Sequence, residues 1–191
     1  LAQLKTAGGQ MKQSKQSGFS LIELMVVIGI IGVLTLLGVS AFQKQIAKAK
    51  QTEAKSNLAA LFTAQKTFAS EFSCYWSGFT TIGFGLEGEL RYELGFGADT
   101  GGNVADCGYK GASTAATPRL ASTYCAAANT CTMNAVTTNG VTLAATSITS
   151  APGTTPPIFI AEATGVIYNG LTDSWTIDQN KNLTQVSDGI Q

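Results

Sequence analysis

Residues 24–42 read LMVVIGIIGVLTLLGVSAF, nineteen residues without a charge. At about 1.5 Å per residue a helix of this length spans ~28 Å, close to the ~30 Å hydrocarbon core of a bilayer. The run is apolar on every side, so it does not read as a half-buried surface helix. Thr35 and Ser40 are its only polar side chains, and a helix satisfies both through its own carbonyls. Gly29, Gly32 and Gly38 weaken a helix in water by roughly 1 kcal/mol each, yet small residues also let neighbouring helices approach closely in an apolar bundle.

Downstream, no Gly or Pro interrupts the chain between Gly38 and Gly78. Ala54, Leu58, Leu61, Phe62, Phe68, Ala69 and Phe72 recur by threes and fours, with Gln65 the one polar interruption. Lys44, Lys48, Lys55 and Lys66 lie off this stripe. Lys50 lies on it, so the stripe is expected to meet its packing partner only from about Ala54. Together the two patterns predict one helix from near Ser20 to near Phe72, about 53 residues and ~80 Å long. Ordinary helices average about 11–12 residues, so such a length calls for a membrane, a coiled coil or a filament. The expected divisions are a leader at 1–18, a transmembrane or filament-core helix at 19–42, an amphipathic helix of the head at 43–73, and a globular head at 74–191.

The head is rich in Gly, Ser, Thr and Asn. Strands are expected at 90–94 (LRYEL), 157–163 (PIFIAEA), 174–178 (SWTID) and 183–186 (LTQV), with a further short one at 166–168. Residues 179–182 read as a hairpin turn. Residues 111–155 are Ala/Thr/Ser-rich and are expected to be surface loop. The predicted class is α+β: a long amino-terminal helical stem packed on a small antiparallel sheet.

Composition narrows the function. The chain has 12 basic and 12 acidic residues, no histidine, and only 13% charged residues. Without histidine there is no Ser-His-Asp or Cys-His relay and no His-ligated metal. No other acid–base pair stands out, so no enzyme, no cofactor and no metal are expected. The charges are segregated: eight basic residues and two acids up to Lys66, then four basic residues and ten acids. A basic stalk thus carries an acidic head, and nothing in it predicts direct nucleic-acid binding.

Cys74, Cys107, Cys125 and Cys131 all fall in the head, without a CxxC spacing that would suggest a redox or zinc motif. Two disulfides are expected, which places the head outside the cytoplasm. Three pairings are open to the sequence; Cys74–Cys107 with Cys125–Cys131 needs the least reach. The positive-inside count runs against this orientation, with Lys5, Lys12 and Lys15 before the span and Lys44, Lys48, Lys50 and Lys55 after it.

Residues 15–25, KQSGFSLIELM, are not what a plain anchor requires. Glu23 sits at the edge of the apolar run, and no Lys or Arg lies at helical spacing on its C-terminal side. A carboxylate buried there without a partner costs several kcal/mol. A cut after Gly18 would give Phe19 a free amino group one turn from Glu23, and a neighbouring copy could bring its own terminus to this acid.

The segment KQSGFSLIELMVVIGIIGVL closely resembles the amino-terminal signature of type IV pilins and pseudopilins. The resemblance implies cleavage by a prepilin peptidase after Gly18, N-methylation of Phe19, and pairing of Glu23 with a neighbour's terminus in a helical homopolymer. It makes Met11 the expected start, with 1–10 an upstream over-reading. It further implies a single pass of the bacterial inner membrane, then assembly-machinery-driven passage into an extracellular pilus for adhesion, motility or uptake. The closing SWTIDQNKNLTQVSDGI resembles the terminal hairpin of some bacterial pilins. One departure is Gly38-Val-Ser40, where many bacterial pilins carry proline; any unwinding on assembly would rest on Gly29, Gly32 and Gly38. The rivals are a type II secretion pseudopilin and a membrane-anchored extracellular binding protein that does not polymerise.

Other features have plainer readings. Val39-Ser40-Ala41 imitates a signal-peptide cleavage site, but the apolar run exceeds a usual h-region and follows a carboxylate. Residues 83–88 match GxGxxG by chance, with no βαβ unit around them. Asp99, Asn103 and Asp106 lack EF-hand spacing and read as a solvated turn. Tyr75, Trp76, Phe79, Phe84 and Trp175 read as head core. Asn182-Leu-Thr184 is a glycosylation sequon of little meaning in a bacterial chain.

Overall fold

The computed structural model describes residues 18–97, 107–110, 119–135, 142–144, 146–148 and 157–191. The proposed leader before Gly18 and the Asp99, Asn103 and Asp106 turn lie outside them. The chain divides into two compact units, Leu1–Ser40 and Ala41–Gln191. A single helix, α1 (Leu21–Phe72), contributes to both.

In the second unit α1 buries Ala47, Ala54, Leu58, Leu61 and Phe68, the three-and-four stripe of the sequence. Burial begins earlier than expected, at Ala47 and Gln51. Lys50 does not delay it, because its ammonium donates to the Ile167 carbonyl at 3.1 Å. The polar Gln65 is wholly buried and belongs in the stripe. Its amide donates to the Trp76 carbonyl and its carbonyl accepts the Trp76 N–H, so it grips the chain that leaves the helix. The helix ends where Ser73 turns left-handed (φ 58°) and donates its N–H to the Ala69 carbonyl at 2.8 Å.

The remaining elements are β1 (Gly88–Leu90), β2 (Glu93–Gly95), α2 (Ala121–Ala128), β3 (Cys131–Met133), β4 (Ser147–Ile148), β5 (Phe159–Tyr168), β6 (Leu171–Asp178) and β7 (Leu183–Ser187). The main sheet is antiparallel in the order β2-β5-β6-β7, with β4 also paired to β5. One face of it, carrying Leu94, Phe159, Ala161, Ala163, Trp175 and Ile177, is buried in the same core as the α1 stripe. Phe62 of α1 meets Phe159 at 6.1 Å between ring centroids, and Lys55 lies 4.0 Å over the Trp175 ring. Tyr75, Trp76, Phe79 and Phe84 are all buried core.

Three expectations need correction. The strand expected at 90–94 is two strands, because Arg91 leaves the ladder: its N–H and guanidinium donate to Glu53 at 2.8 and 3.2 Å. β1 then pairs in parallel with β3, a small second sheet. The strands expected at 157–163 and 166–168 are one ten-residue strand, β5. Residues 111–155, expected to be loop, contain α2, β3 and β4. There Gly95, at φ 137°, allows β2 to approach Leu120: a Cβ on it would stand 2.0 Å from the Arg119 carbonyl oxygen.

Cys74 is bonded to Cys107 and Cys125 to Cys131, with Cα–Cα distances of 6.1 and 4.9 Å. The second bridge ties α2 to β3 across the left-handed Asn129 that ends the helix.

Candidate assembly surface at the amino-terminal helix

Gly18, Phe19 and Ser20 precede α1 in irregular backbone, and the helix starts at Leu21. Ser20 therefore occupies the position just before the first helical residue, and Glu23 lies in the first turn. The Ser20 N–H donates to the Glu23 carboxylate at 2.9 Å. This is the backward half of a capping box, in which an acid in the first turn satisfies one of the helix's orphan donors. Its negative charge also suits the positive end of the helix dipole. Glu23 is thus not without a partner inside a single chain, contrary to the expectation from cation spacing alone. The signal was present as Ser20-Leu-Ile-Glu23, the S-x-x-E pattern.

Between this first turn and Phe42 the helix carries no charge, and its described side chains are exposed. Phe19 is 88% exposed, Leu36 79% and Phe42 67%. Phe19, Ile22, Glu23, Val26 and Val27 line a shallow, mostly apolar groove of about 390 Å³. Thr35 donates its hydroxyl to the Ile31 carbonyl at 2.7 Å, so it presents no unmet polar group. Nothing stands within 4 Å of where a Cβ would sit on Gly29, Gly32 or Gly38. By length and composition α1 can cross a membrane. Among the described residues no cluster of potential metal ligands exists.

Residues 13–39 match the family described as the prokaryotic N-terminal methylation motif. In its amino-terminal sequence this chain is similar to type IV pilins. It is 49% identical over 78 residues to the type IV major pilin protein PilA of Myxococcus xanthus, covering 41% of this chain and 36% of that one. It is 39% identical over 72 residues to a fimbrial protein of Moraxella nonliquefaciens, covering 38% and 47%. It is 46% identical over 57 residues to the prepilin peptidase-dependent protein D of Escherichia coli, covering 30% and 39%. The chain thus spans about a third to a half of the length of these relatives. The α+β head with its long amino-terminal helix agrees with a pilin fold. The names of these relatives are those of a major pilin, a fimbrial protein and a prepilin peptidase-dependent protein.

Proposed function

We propose that the chain is the structural subunit of a type IV pilus. A leader ending at Gly18 is removed by prepilin peptidase, and the new terminal Phe19 is N-methylated. The subunit waits in the bacterial inner membrane, with residues 19–42 spanning it once and the head outside the cytoplasm. The assembly machinery then adds it to a homopolymeric surface filament. The single observation carrying this reading is the outward-facing apolar surface of residues 19–42 behind a capped carboxylate. A monomeric soluble protein does not tolerate such a patch. In lipid, and then in a bundle of like helices, it is covered, with each CH₂ kept from water contributing ~0.8 kcal/mol.

Other features support the reading. The Escherichia coli relative is named for its dependence on prepilin peptidase, and the Myxococcus xanthus relative as a major pilin. Two disulfides suit a head outside the cytoplasm. In the filament, Glu23 exchanges or shares its Ser20 N–H with the amino terminus of a neighbour's Phe19. Such contacts repeat head-to-tail without closing, which yields a helix and not a ring.

The test is mass spectrometry of the mature amino terminus in surface material sheared from cells. The expected subunit begins at a methylated Phe19. A fibre subunit beginning elsewhere overturns the cleavage assignment, and absence of the chain from sheared material overturns polymerisation.

A further inference from the structure

Most lysines on α1 have partners within the head. Lys50 donates to the Ile167 carbonyl at 3.1 Å, Lys55 lies over the Trp175 ring at 4.0 Å, and Lys66 donates to the Tyr75 hydroxyl at 2.9 Å. Lys44 and Lys48 are exposed, and among the described residues neither side chain has a hydrogen-bond, ion-pair or ring partner. They stand four apart on one flank of the helix, where like charges repel. No acid lies three or four residues from either to offset this: those positions hold Ser40, Ala41, Ala47, Gln45, Gln51 and Thr52. Two cations held side by side, without a partner among the described residues, are a site for an anion.

Their position along the helix indicates which anion. The uncharged run ends at Phe42. Lys44 and Lys48 begin ~3 and ~9 Å beyond it at 1.5 Å per residue. The polar layer of a bilayer is roughly 5–8 Å deep on each side of its hydrocarbon core. With their flexible stems, both ammonium groups reach the phosphate level of that layer. We propose that Lys44 and Lys48 form a docking site for the phosphate headgroups of anionic phospholipid on the head side of the membrane. This inference rests on the membrane-spanning reading above. The pair holds the subunit at a fixed depth before assembly, and its lipid must be released when the subunit is extracted.

The experiment reconstitutes the full chain in nanodiscs of phosphatidylcholine mixed equally with phosphatidylglycerol. Native mass spectrometry then counts the lipids that stay bound. The expected result is a preference for phosphatidylglycerol of roughly 5-fold per lysine. It is lost in the Lys44→Gln/Lys48→Gln double variant and kept in Lys110→Gln, which removes an exposed head charge instead. Unaltered thermal unfolding of the double variant shows that the head is intact. A double variant that retains the preference, or a parent chain that has none, overturns the proposal. So does a double variant whose lipid binding is normal but whose fibre yield falls, which assigns the lysines to an acidic surface of another copy. A chain that fails to enter the bilayer at all refutes the spanning reading itself, a result distinct from insertion without lipid preference.

Discussion

Gln51 of α1 and Asp173 of β6, 122 residues apart, meet in a 2.8 Å hydrogen bond at the centre of the head. Asp173 is completely buried, yet among the described residues no cation pairs with it. Its Oδ1 accepts from the Gln51 and Gln185 amides and from the Gly189 N–H, the last two at 3.2 and 3.1 Å. Its Oδ2 accepts from the Tyr92 hydroxyl at 2.7 Å and the Trp175 indole at 2.8 Å. Five neutral donors thus replace a counter-ion. One carboxylate ties the long helix, the segment before β2, strands β6 and β7, and the chain's last residues together. Burial first, and then this carboxylate, push the Tyr92 hydroxyl far above its ordinary value, so it remains a donor at every working pH.

Asp173→Asn tests this arrangement with almost no change of shape. An amide offers one acceptor where two are needed, so its NH₂ must face at least two donors. The expected destabilisation is about 3 kcal/mol, the penalty for buried polar groups left facing like partners. Chemical denaturation of the detergent-solubilised chain measures it. A variant within about 0.5 kcal/mol of the parent would show that the network adapts and is not the clamp described.

Glu93 offers a contrast with a definite pH sign. It is buried on the sheet face opposite α1 and holds the start of α2, accepting from the Ser122 N–H and hydroxyl at 3.1 Å each. Leu120, which precedes α2, supplies no side-chain cap, so a residue from another element does the work. Burial raises the Glu93 carboxyl above its ordinary value, and the bonds from Ser122 and Ala121 only partly oppose this. A raised acid binds its proton more tightly in the folded state. Its contribution is therefore greatest below the unfolded value of ~4.3 and is lost as pH rises through the folded value. Glu93→Gln keeps an acceptor and carries no charge. Melting of the two proteins compared across this range should show the variant gaining on the parent as pH rises; the opposite slope would mean that the hydrogen bonds outweigh burial.

The two disulfides should differ in weight. Cys74–Cys107 closes a separation of 33 residues and Cys125–Cys131 one of 6. Loop-closure entropy then assigns about 3.7 and 2.2 kcal/mol to them, respectively. Replacing the first pair with serines should lower the denaturation midpoint more than replacing the second. Equal losses would place the effect of the short bridge in the native packing of α2 against β3.

The α1 helix was legible because its signal is long: an uncharged run joined without a breaker to an amphipathic stripe. β6, β7 and their turn were legible through alternation and a polar tetrapeptide, where Asp178 accepts from the Asn180 and Asn182 N–H groups at 2.9 and 2.8 Å. The β5–β6 turn, absent from the sequence expectations, is Asn169-Gly170, whose φ values of 48° and 75° are those of a tight hairpin. α2 was not legible, since eight residues of ASTYCAAA are too short for periodicity and its cap lies in β2. Gln65 and Lys50 looked like faults in the stripe because their partners, the Trp76 backbone and the Ile167 carbonyl, are invisible to local pattern. Glu23 differs from these: its partner is local, the Ser20 N–H of an S-x-x-E pattern, while cation spacing points only to an acid without a partner.

Glu23 therefore has a role within one chain and a proposed role between chains, and two substitutions separate them. Glu23→Gln retains an oxygen that can accept the Ser20 N–H, but it cannot offer a charge to a neighbour's amine. Glu23→Ala loses both. If pairing between copies is electrostatic, both variants should enter the membrane and both should give few fibres in the sheared fraction, with glutamine no better than alanine. If the carboxylate serves only to start the helix, glutamine should restore most of the fibre yield while alanine does not. Immunoblots of membrane and sheared fractions, normalised to total subunit, distinguish the two. Fibres from the glutamine variant at the parental level would remove the charge from the assembly step and leave helix capping as the whole function of this acid.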